Sequence, residues 1–249
     1  MDNFFPIMIE RPENRLMGGG LTYWFLAFSL FPCLMFLMAV DLYGYNEWIA
    51  WLEIIYHIVN FVVVLVLFFT FMKDSFLILQ VNTKQIFSIA CTCAIVIIVL
   101  KRALITLFTA LDWELAVNVA IGSYVSSESD LLRFAGDILY THPVLGSVVL
   151  VLMVPFSISC LYYACCFAPA CNRWPRGAYL IVSLALLIPR FMNFCPLSEE
   201  LAIYFITLPV HLIACWSYQK TDTIWTPILI HGITNLIACI LMLHIFGHI

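Results

Sequence analysis

Long uninterrupted apolar stretches are the feature that most restricts what this chain can fold into. The five clearest are residues 21–40, 48–72, 86–110, 144–167 and 228–246. A helix needs roughly 20 residues to span the hydrocarbon core of a bilayer, and each stretch reaches or approaches that length. Two shorter stretches, 177–194 and 201–218, also qualify if flanking residues snorkel or the local bilayer thins. We therefore predict an all-α, polytopic membrane helix bundle with about seven transmembrane helices.

The composition leads to the same class of protein. Hydrophobic residues make up 64% of the 249 residues and charged residues 10%, whereas soluble domains are about half apolar and about a quarter charged. A water-soluble fold could not bury that much apolar surface. The first stretch ends at Met38, Ala39 and Val40 without a small-residue cleavage site, so we interpret it as a retained helix and not as a removed signal peptide. The lipid bilayer is thus the first predicted partner.

The placement of Lys and Arg indicates the orientation, because positively charged loops tend to stay cytoplasmic. Seven basic residues fall on one side of the predicted bundle: Arg11, Arg15, Lys73, Lys84, Arg173, Arg176 and Lys220. The opposite side holds Arg133 and most of the acidic residues. We therefore expect a multi-pass protein of the cell membrane with a cytoplasmic N-terminus. The net charge of −4 carries no indication of a nucleic-acid partner.

Ionisable groups inside spanning helices are costly, and each is therefore a candidate for function. They are Glu53, His57, Lys101, Arg102, Arg190, His211 and His231, with the amide Asn235. A rise of about 1.5 Å per residue places His57, Lys101, Arg102 and Arg190 in the outer half of the membrane, near Glu53, Glu199 and Glu200. For this set, mutual neutralisation and a binding site for an anionic group both remain open.

His211 and His231 form a second set in the inner half. The helices that carry them are predicted to be antiparallel and joined by a turn at residues 221–223, which gives the two histidines similar depth. Asn235 lies one turn from His231 on the same helix face. These side chains could stabilise a developing oxyanion, or they could simply form interhelical hydrogen bonds.

The turn after residue 220 is followed in order by Trp225, Pro227, His231 and Asn235. This order resembles the last motif of the CPBP family, also called Abi or CAAX-protease-like membrane proteins. Characterised members are intramembrane endopeptidases, including the type II enzymes that trim prenylated CAAX proteins, and relatives linked to bacteriocin self-immunity. The resemblance implies a substrate cavity formed by a four-helix core.

The apolar stretches and their connections divide the chain into four parts, of which the last carries the resemblance. Residues 1–20 form a cytoplasmic N-terminus, 21–110 three transmembrane helices, 111–143 an outer loop with an amphipathic segment, and 144–249 the four-helix CPBP-like core.

The family's first motif is a Glu-Glu pair followed by Arg, and its second is Phe-x-x-x-His. In members of the family the carboxylate pair activates water as a general base, while His and Asn hold water and the oxyanion. Alignment by helix position puts Ile158 and Ser159 at the Glu-Glu positions, Tyr163 at the Arg position and Phe191 at the second-motif His. This alignment predicts a pseudoenzyme.

A rival alignment uses Glu199 and Glu200 as the carboxylate pair, with Tyr204 in place of the Arg. It requires two helices to be deleted between motifs. It also leaves Glu200 eleven residues from His211, roughly 16 Å along a helix.

Three functions remain open at this point. The first is a catalytically degenerate relative that binds a membrane protein or lipidated peptide in a regulatory or self-immunity role, with His211, Arg190 and Trp225 as candidate polar-site residues. The second is an active endopeptidase using Glu199, Glu200, His231 and Asn235. The third is a small-molecule carrier lined by Lys101, Arg102 and Arg190. No cofactor is predicted. His211 and His231 supply two nitrogen ligands, fewer than the three of a typical catalytic zinc, so a divalent metal at this pair is a minor alternative.

Overall fold

A computed structural model of the chain describes residues 14–26, 47–110, 139–192, 197–245 and 247. Within these ranges the chain is helical and has no β-strand. The main helices are α1 (Asn14–Phe25), α2 (Glu47–Val81), α3 (Thr83–Ala110), α4 (Pro143–Arg173), α5 (Pro175–Met192), α6 (Leu197–Thr221) and α7 (Trp225–Ile245). The predicted all-α helical membrane bundle is confirmed.

Four of the described helical segments are long and apolar enough to cross a membrane: Ile54–Val81, Thr83–Phe108, Pro143–Arg173 and Trp225–Ile245. A shorter apolar segment covers Pro175–Ile188. The first predicted span, residues 21–40, is described only as far as residue 26, and most of the predicted outer loop at 111–143 lies outside the described residues.

Helix α4 is at the centre of the bundle. In its most apolar window 61% of the residues are buried, against 28% to 39% in the other three candidate spans. Helix α7 packs against α3, α6 and the first half of α4. Helices α1 and α5 pack against the second half of α4. Any side chain on α4 that points to α6 or α7 is therefore shielded from lipid and available for polar contacts within the protein.

Two π-helical segments, Val149–Met153 and Ser159–Phe167, interrupt the α-helical pattern of α4. In the first segment the Val154 N–H donates to the carbonyl of Val149, five residues earlier. The next donor in that pattern would be residue 155, but Pro155 has no N–H. The carbonyl of Leu150 therefore has no donor of this kind within its own helix. Segments of π-helix are often found at functional sites.

The turn between α6 and α7 is tied to α2. Asp222 adopts the left-handed conformation, with φ of 53°, and ends α6. The Ser75 hydroxyl on α2 lies 2.9 Å from the Thr223 hydroxyl and accepts a 3.2 Å hydrogen bond from the Ile224 N–H. The Thr223 hydroxyl in turn accepts a hydrogen bond from the Trp225 N–H at 3.4 Å. These contacts determine where α7 begins and therefore how deep its polar residues lie.

Candidate functional site

A buried tyrosine joins the two inner histidines. The Tyr163 hydroxyl lies 2.7 Å from Nδ1 of His211 and 2.6 Å from Nε2 of His231. Tyr163 and His211 are 0% exposed and His231 is 1% exposed. The rings of Tyr163 and His231 are nearly parallel, at an interplanar angle of 14°. We call these three residues the Tyr163 centre. It connects α4, α6 and α7 at one point inside the bundle.

If the hydroxyl donates its one proton to one of the histidines, the other histidine donates to the hydroxyl. In one arrangement Nδ1–H of His211 donates to Tyr163, which donates to Nε2 of His231, and the remaining His231 proton sits on Nδ1. In the other arrangement every donor is reversed and Nδ1 of His231 is bare. This Nδ1 atom is buried and has no hydrogen-bond partner among the described residues.

Asn235 does not point at the same place as His231. Its Nδ2 donates a 2.8 Å hydrogen bond to the carbonyl of Leu150, the carbonyl that loses its helical donor to Pro155. The sequence pattern suggested two donors aimed at one spot. In the structure each side chain has its own partner on α4, so the described geometry does not form an oxyanion-binding pair from these two residues.

The positions aligned with the family's Glu-Glu pair are buried on α4, one turn before Tyr163. Ile158 is 1% exposed and Ser159 is 0% exposed. The hydroxyls of Ser159 and neighbouring Ser157 have no hydrogen-bond partner among the described residues. A serine and an isoleucine cannot act together as a general base, because neither carries a carboxylate. The side chain of Phe191, at the second-motif position, lies outside the described part of the structure.

Lys101, which was predicted to belong to the outer charged group, is close to the Tyr163 centre. Lys101 on α3 is 6% exposed and lies within electrostatic range of His231. Ile97 and Ile105, one turn to either side of it, belong to the buried contacts of α3 with α6 and α7. The four-residue spacing of these apolar residues is the sequence signal that could have shown that Lys101 faces inward.

The structure describes the side chains of two other basic residues of that group, Arg102 and His57. Arg102 is exposed on a different face of α3, as consecutive helical residues must be. His57 on α2 is buried, and its Nε2 has no partner within the described ranges. The side chains of Arg190 and Glu53 lie outside the described part.

Glu199 and Glu200 belong to the first turn of α6, and their side chains also lie outside the described part. Helix α6 continues without a break from Glu200 to His211. Glu200 and His211 are therefore separated by about 16 Å along the helix axis, which is too far for one water to bridge. Trp225 begins α7, and its ring packs edge-on against Phe76 of α2 at 5.6 Å. This contact supports the α6–α7 turn.

No set of three metal-ligating residues comes together within the described ranges. At His211 and His231, one nitrogen of each ring is already hydrogen-bonded to Tyr163. What the centre offers chemically is a set of buried hydrogen-bonding groups.

Comparison with known proteins gives one finding. Residues 140–237 match the family model described as Rce1-like, type II CAAX prenyl endopeptidase. The range covers helices α4 to α6 and most of α7, including the whole Tyr163 centre. The resemblance to the CPBP family is confirmed for this part of the chain. No curated protein and no solved structure matches the chain.

Proposed function

Because residues 140–237 form an Rce1-like segment, we propose that this multi-pass membrane protein keeps the polar centre of a CPBP endopeptidase but does not hydrolyse peptide bonds. It acts by binding a membrane protein or a lipidated peptide, in a regulatory or self-immunity role at the cell membrane. The observation that carries the proposal is the position of Tyr163. At the place of the family's Arg, its hydroxyl is hydrogen-bonded to both buried histidines.

Hydrolysis requires a base that can take a proton from water. The aligned positions supply Ile158 and Ser159 in place of two carboxylates. Two of the groups that could stabilise an oxyanion are engaged within the protein, since His231 Nε2 faces Tyr163 and Asn235 donates to the Leu150 carbonyl. A centre of this kind can recognise a ligand, but its aligned positions lack the carboxylate pair with which members of the family activate water.

The two alternative functions receive less support from the geometry. An endopeptidase based on Glu199 and Glu200 would need its carboxylates to reach His211, about 16 Å from Glu200 along α6. A carrier path would need Lys101 and Arg102 on one surface, but one is buried and the other exposed.

The test is cleavage by purified protein in lipid nanodiscs, with a library of prenylated CAAX peptides and a set of transmembrane reporters, read by mass spectrometry. Wild type, Glu200→Gln and His231→Ala are compared, with an active family member as positive control. We expect no cleavage by any form of this protein. Cleavage by wild type that disappears in both variants would instead establish the rival alignment.

Binding is measured in the same nanodiscs with a photoreactive prenylated peptide. Capture should be unchanged in Glu200→Gln and reduced in His231→Ala. Reduced capture is also expected for Trp225→Ala, because the ring supports the turn from which α7 starts. If all variants capture the peptide equally, the Tyr163 centre is not the binding site.

A further inference from the structure

The turn between α4 and α5 presents two arginines and a tryptophan on the surface. Arg173 is the last residue of α4, and Arg176 is the second residue of α5. Both are exposed, and neither forms an ion pair within the described ranges. Trp174 between them leaves the helical conformation, with φ of −147° and ψ of 79°, and is 58% exposed. The turn therefore carries two positive charges next to an accessible aromatic ring.

The ring of Trp174 lies directly on the backbone of α5. A Cβ atom at Gly177 would be 2.0 Å from Cε3 of the ring, so a side chain at this position would displace it. Tryptophan is enriched at the membrane–water interface, where its ring lies at the level of the lipid headgroups. Trp174 thus indicates where the headgroup region meets α5.

Helix α5 has an apolar face that points away from the protein. Its buried residues, which pack toward α4 and α6, are Ala178, Val182, Ala185 and Leu186. On the opposite side Leu180, Leu184 and Ile188 are 42% to 55% exposed. They follow Arg176 at intervals of four residues, so all four lie on one face, which we call the α5 stripe. The stripe is about 18 Å long, close to the thickness of one leaflet, since the whole hydrocarbon core measures roughly 30 Å.

Contacts between helices place this turn at a basic end of the bundle. The Tyr179 hydroxyl donates a 2.7 Å hydrogen bond to Oε1 of Gln219 near the end of α6, and Ser75 on α2 bonds the turn that follows α6. Segments 73–84, 173–176 and 220–222 therefore share one end. They contain five basic residues and two acidic ones: Lys73, Lys84, Arg173, Arg176 and Lys220, and Asp74 and Asp222. This is the end predicted to be cytoplasmic, where anionic lipids attract Lys and Arg.

We propose that the α4–α5 turn and the α5 stripe form a binding site for one anionic phospholipid. Arg173 and Arg176 hold the phosphate, Trp174 packs beside the glycerol region, and an acyl chain lies along the stripe. The exposed apolar length below the arginines favours a lipid over a free phosphate or an acidic peptide, because neither of these would cover it. A zwitterionic lipid fits less well, since its own ammonium group already balances its phosphate. The site is on the lipid-facing surface, so it does not depend on ligand binding at the Tyr163 centre.

The experiment compares two photoreactive lipids with identical diazirine-bearing acyl chains, one phosphatidylglycerol and one phosphatidylcholine. Each is added in trace amount to phosphatidylcholine nanodiscs that contain the full-length protein. After illumination, labelling of residues 177–192 is quantified by mass spectrometry.

Two double variants are matched in charge. Arg173→Gln with Arg176→Gln removes the two positive charges of the site. Lys73→Gln with Lys84→Gln removes two exposed positive charges from the same end of the bundle, but on α2 and α3. Size-exclusion profile and thermal unfolding establish that each variant is folded.

Phosphatidylglycerol should label the α5 stripe of wild type about tenfold more than phosphatidylcholine does. The arginine double variant should reduce this ratio to near one, and the lysine double variant should preserve most of it. Equal labelling of wild type by the two lipids overturns the inference. So does an equal loss in both double variants, because the preference would then come from the overall surface potential and not from a site. Peptide cleavage by wild type would overturn the proposed function and leave this site unaffected.

Discussion

The side chain of Asn235 on α7 donates a 2.8 Å hydrogen bond to the backbone carbonyl of Leu150 on α4. The carbonyl is available because Pro155, five residues later, has no N–H to offer within the π-helical segment. Gly232, one turn before Asn235 on nearly the same face, permits the close approach, since a Cβ there would lie 3.2 Å from the Val151 carbonyl oxygen. Asn235 thus supplies the hydrogen bond that the π-helical segment of α4 leaves open, and Gly232 supplies the space for it.

This relationship predicts a specific coupling. Asn235→Ala should lower the free energy of unfolding by about 1–3 kcal/mol, because it leaves the Leu150 carbonyl buried without a donor. In a Pro155→Ala background the cost should fall by about 1 kcal/mol, since the new N–H can donate to that carbonyl. A double-mutant cycle of reversible unfolding in detergent micelles measures the coupling. Thr234→Ala, whose hydroxyl bonds carbonyls of its own helix, is the control and should be additive with Pro155→Ala. If the effects of Asn235→Ala and Pro155→Ala are additive, the Asn235 side chain does not replace the N–H that Pro155 lacks.

Tyr163→Phe should destabilise the protein. The substitution keeps the ring but removes the hydroxyl that pairs with His211 and His231, at a cost of about 1–3 kcal/mol for each orphaned nitrogen. Tyr204→Phe is the matched control, because its hydroxyl makes one 3.3 Å hydrogen bond to the Ser183 carbonyl and should cost about 1 kcal/mol or less. Equal effects of the two substitutions in chemical unfolding would show that the Tyr163 hydroxyl is not an energetic link between the helices.

Two adjacent glycines in α1 should respond in opposite ways. A Cβ at Gly20 would lie 2.6 Å from Sγ of Cys165 and 2.7 Å from Cζ of Phe68, whereas a Cβ at Gly19 would meet nothing within 4 Å. Gly20→Ala should therefore cost about 1–3 kcal/mol through overpacking. Gly19→Ala should be neutral or stabilise by up to about 1 kcal/mol, because alanine favours the helix. Thermal unfolding of the two variants side by side checks whether α1 packs against the second π-helical segment of α4.

Ser75→Ala should loosen the turn between α6 and α7. The Ser75 hydroxyl bonds the Thr223 hydroxyl and the Ile224 N–H across two helices, and its loss should cost about 1–3 kcal/mol. Hydrogen exchange should accelerate at the start of α7. Ser183→Ala removes a hydroxyl that donates to the Tyr179 carbonyl of its own helix and should leave that exchange unchanged. If both variants behave alike, α2 does not anchor the turn.

The sequence by itself determined the class of protein, the approximate position of its long apolar helices and the family resemblance of its C-terminal part. Burial in a bilayer requires apolar residues in runs of helix length, a property that can be counted along the chain. The order of Trp225, Pro227, His231 and Asn235 is equally local, because a turn followed by one helix carries all four residues. Their family resemblance could therefore be detected without knowing how the helices pack.

Only the tertiary structure decided which polar side chains meet. Tyr163 is separated by 48 residues from His211 and by 68 from His231, and their contact depends on the rotation of each helix about its axis. Helix α6 is apolar on nearly every side, so its sequence does not indicate an inward face. Lys101 was assigned to an outer charged group from its depth alone, without regard to the face of α3 on which it lies. In lipid, hydropathy determines which segments enter the membrane, but packing and hydrogen bonding between helices decide how they turn.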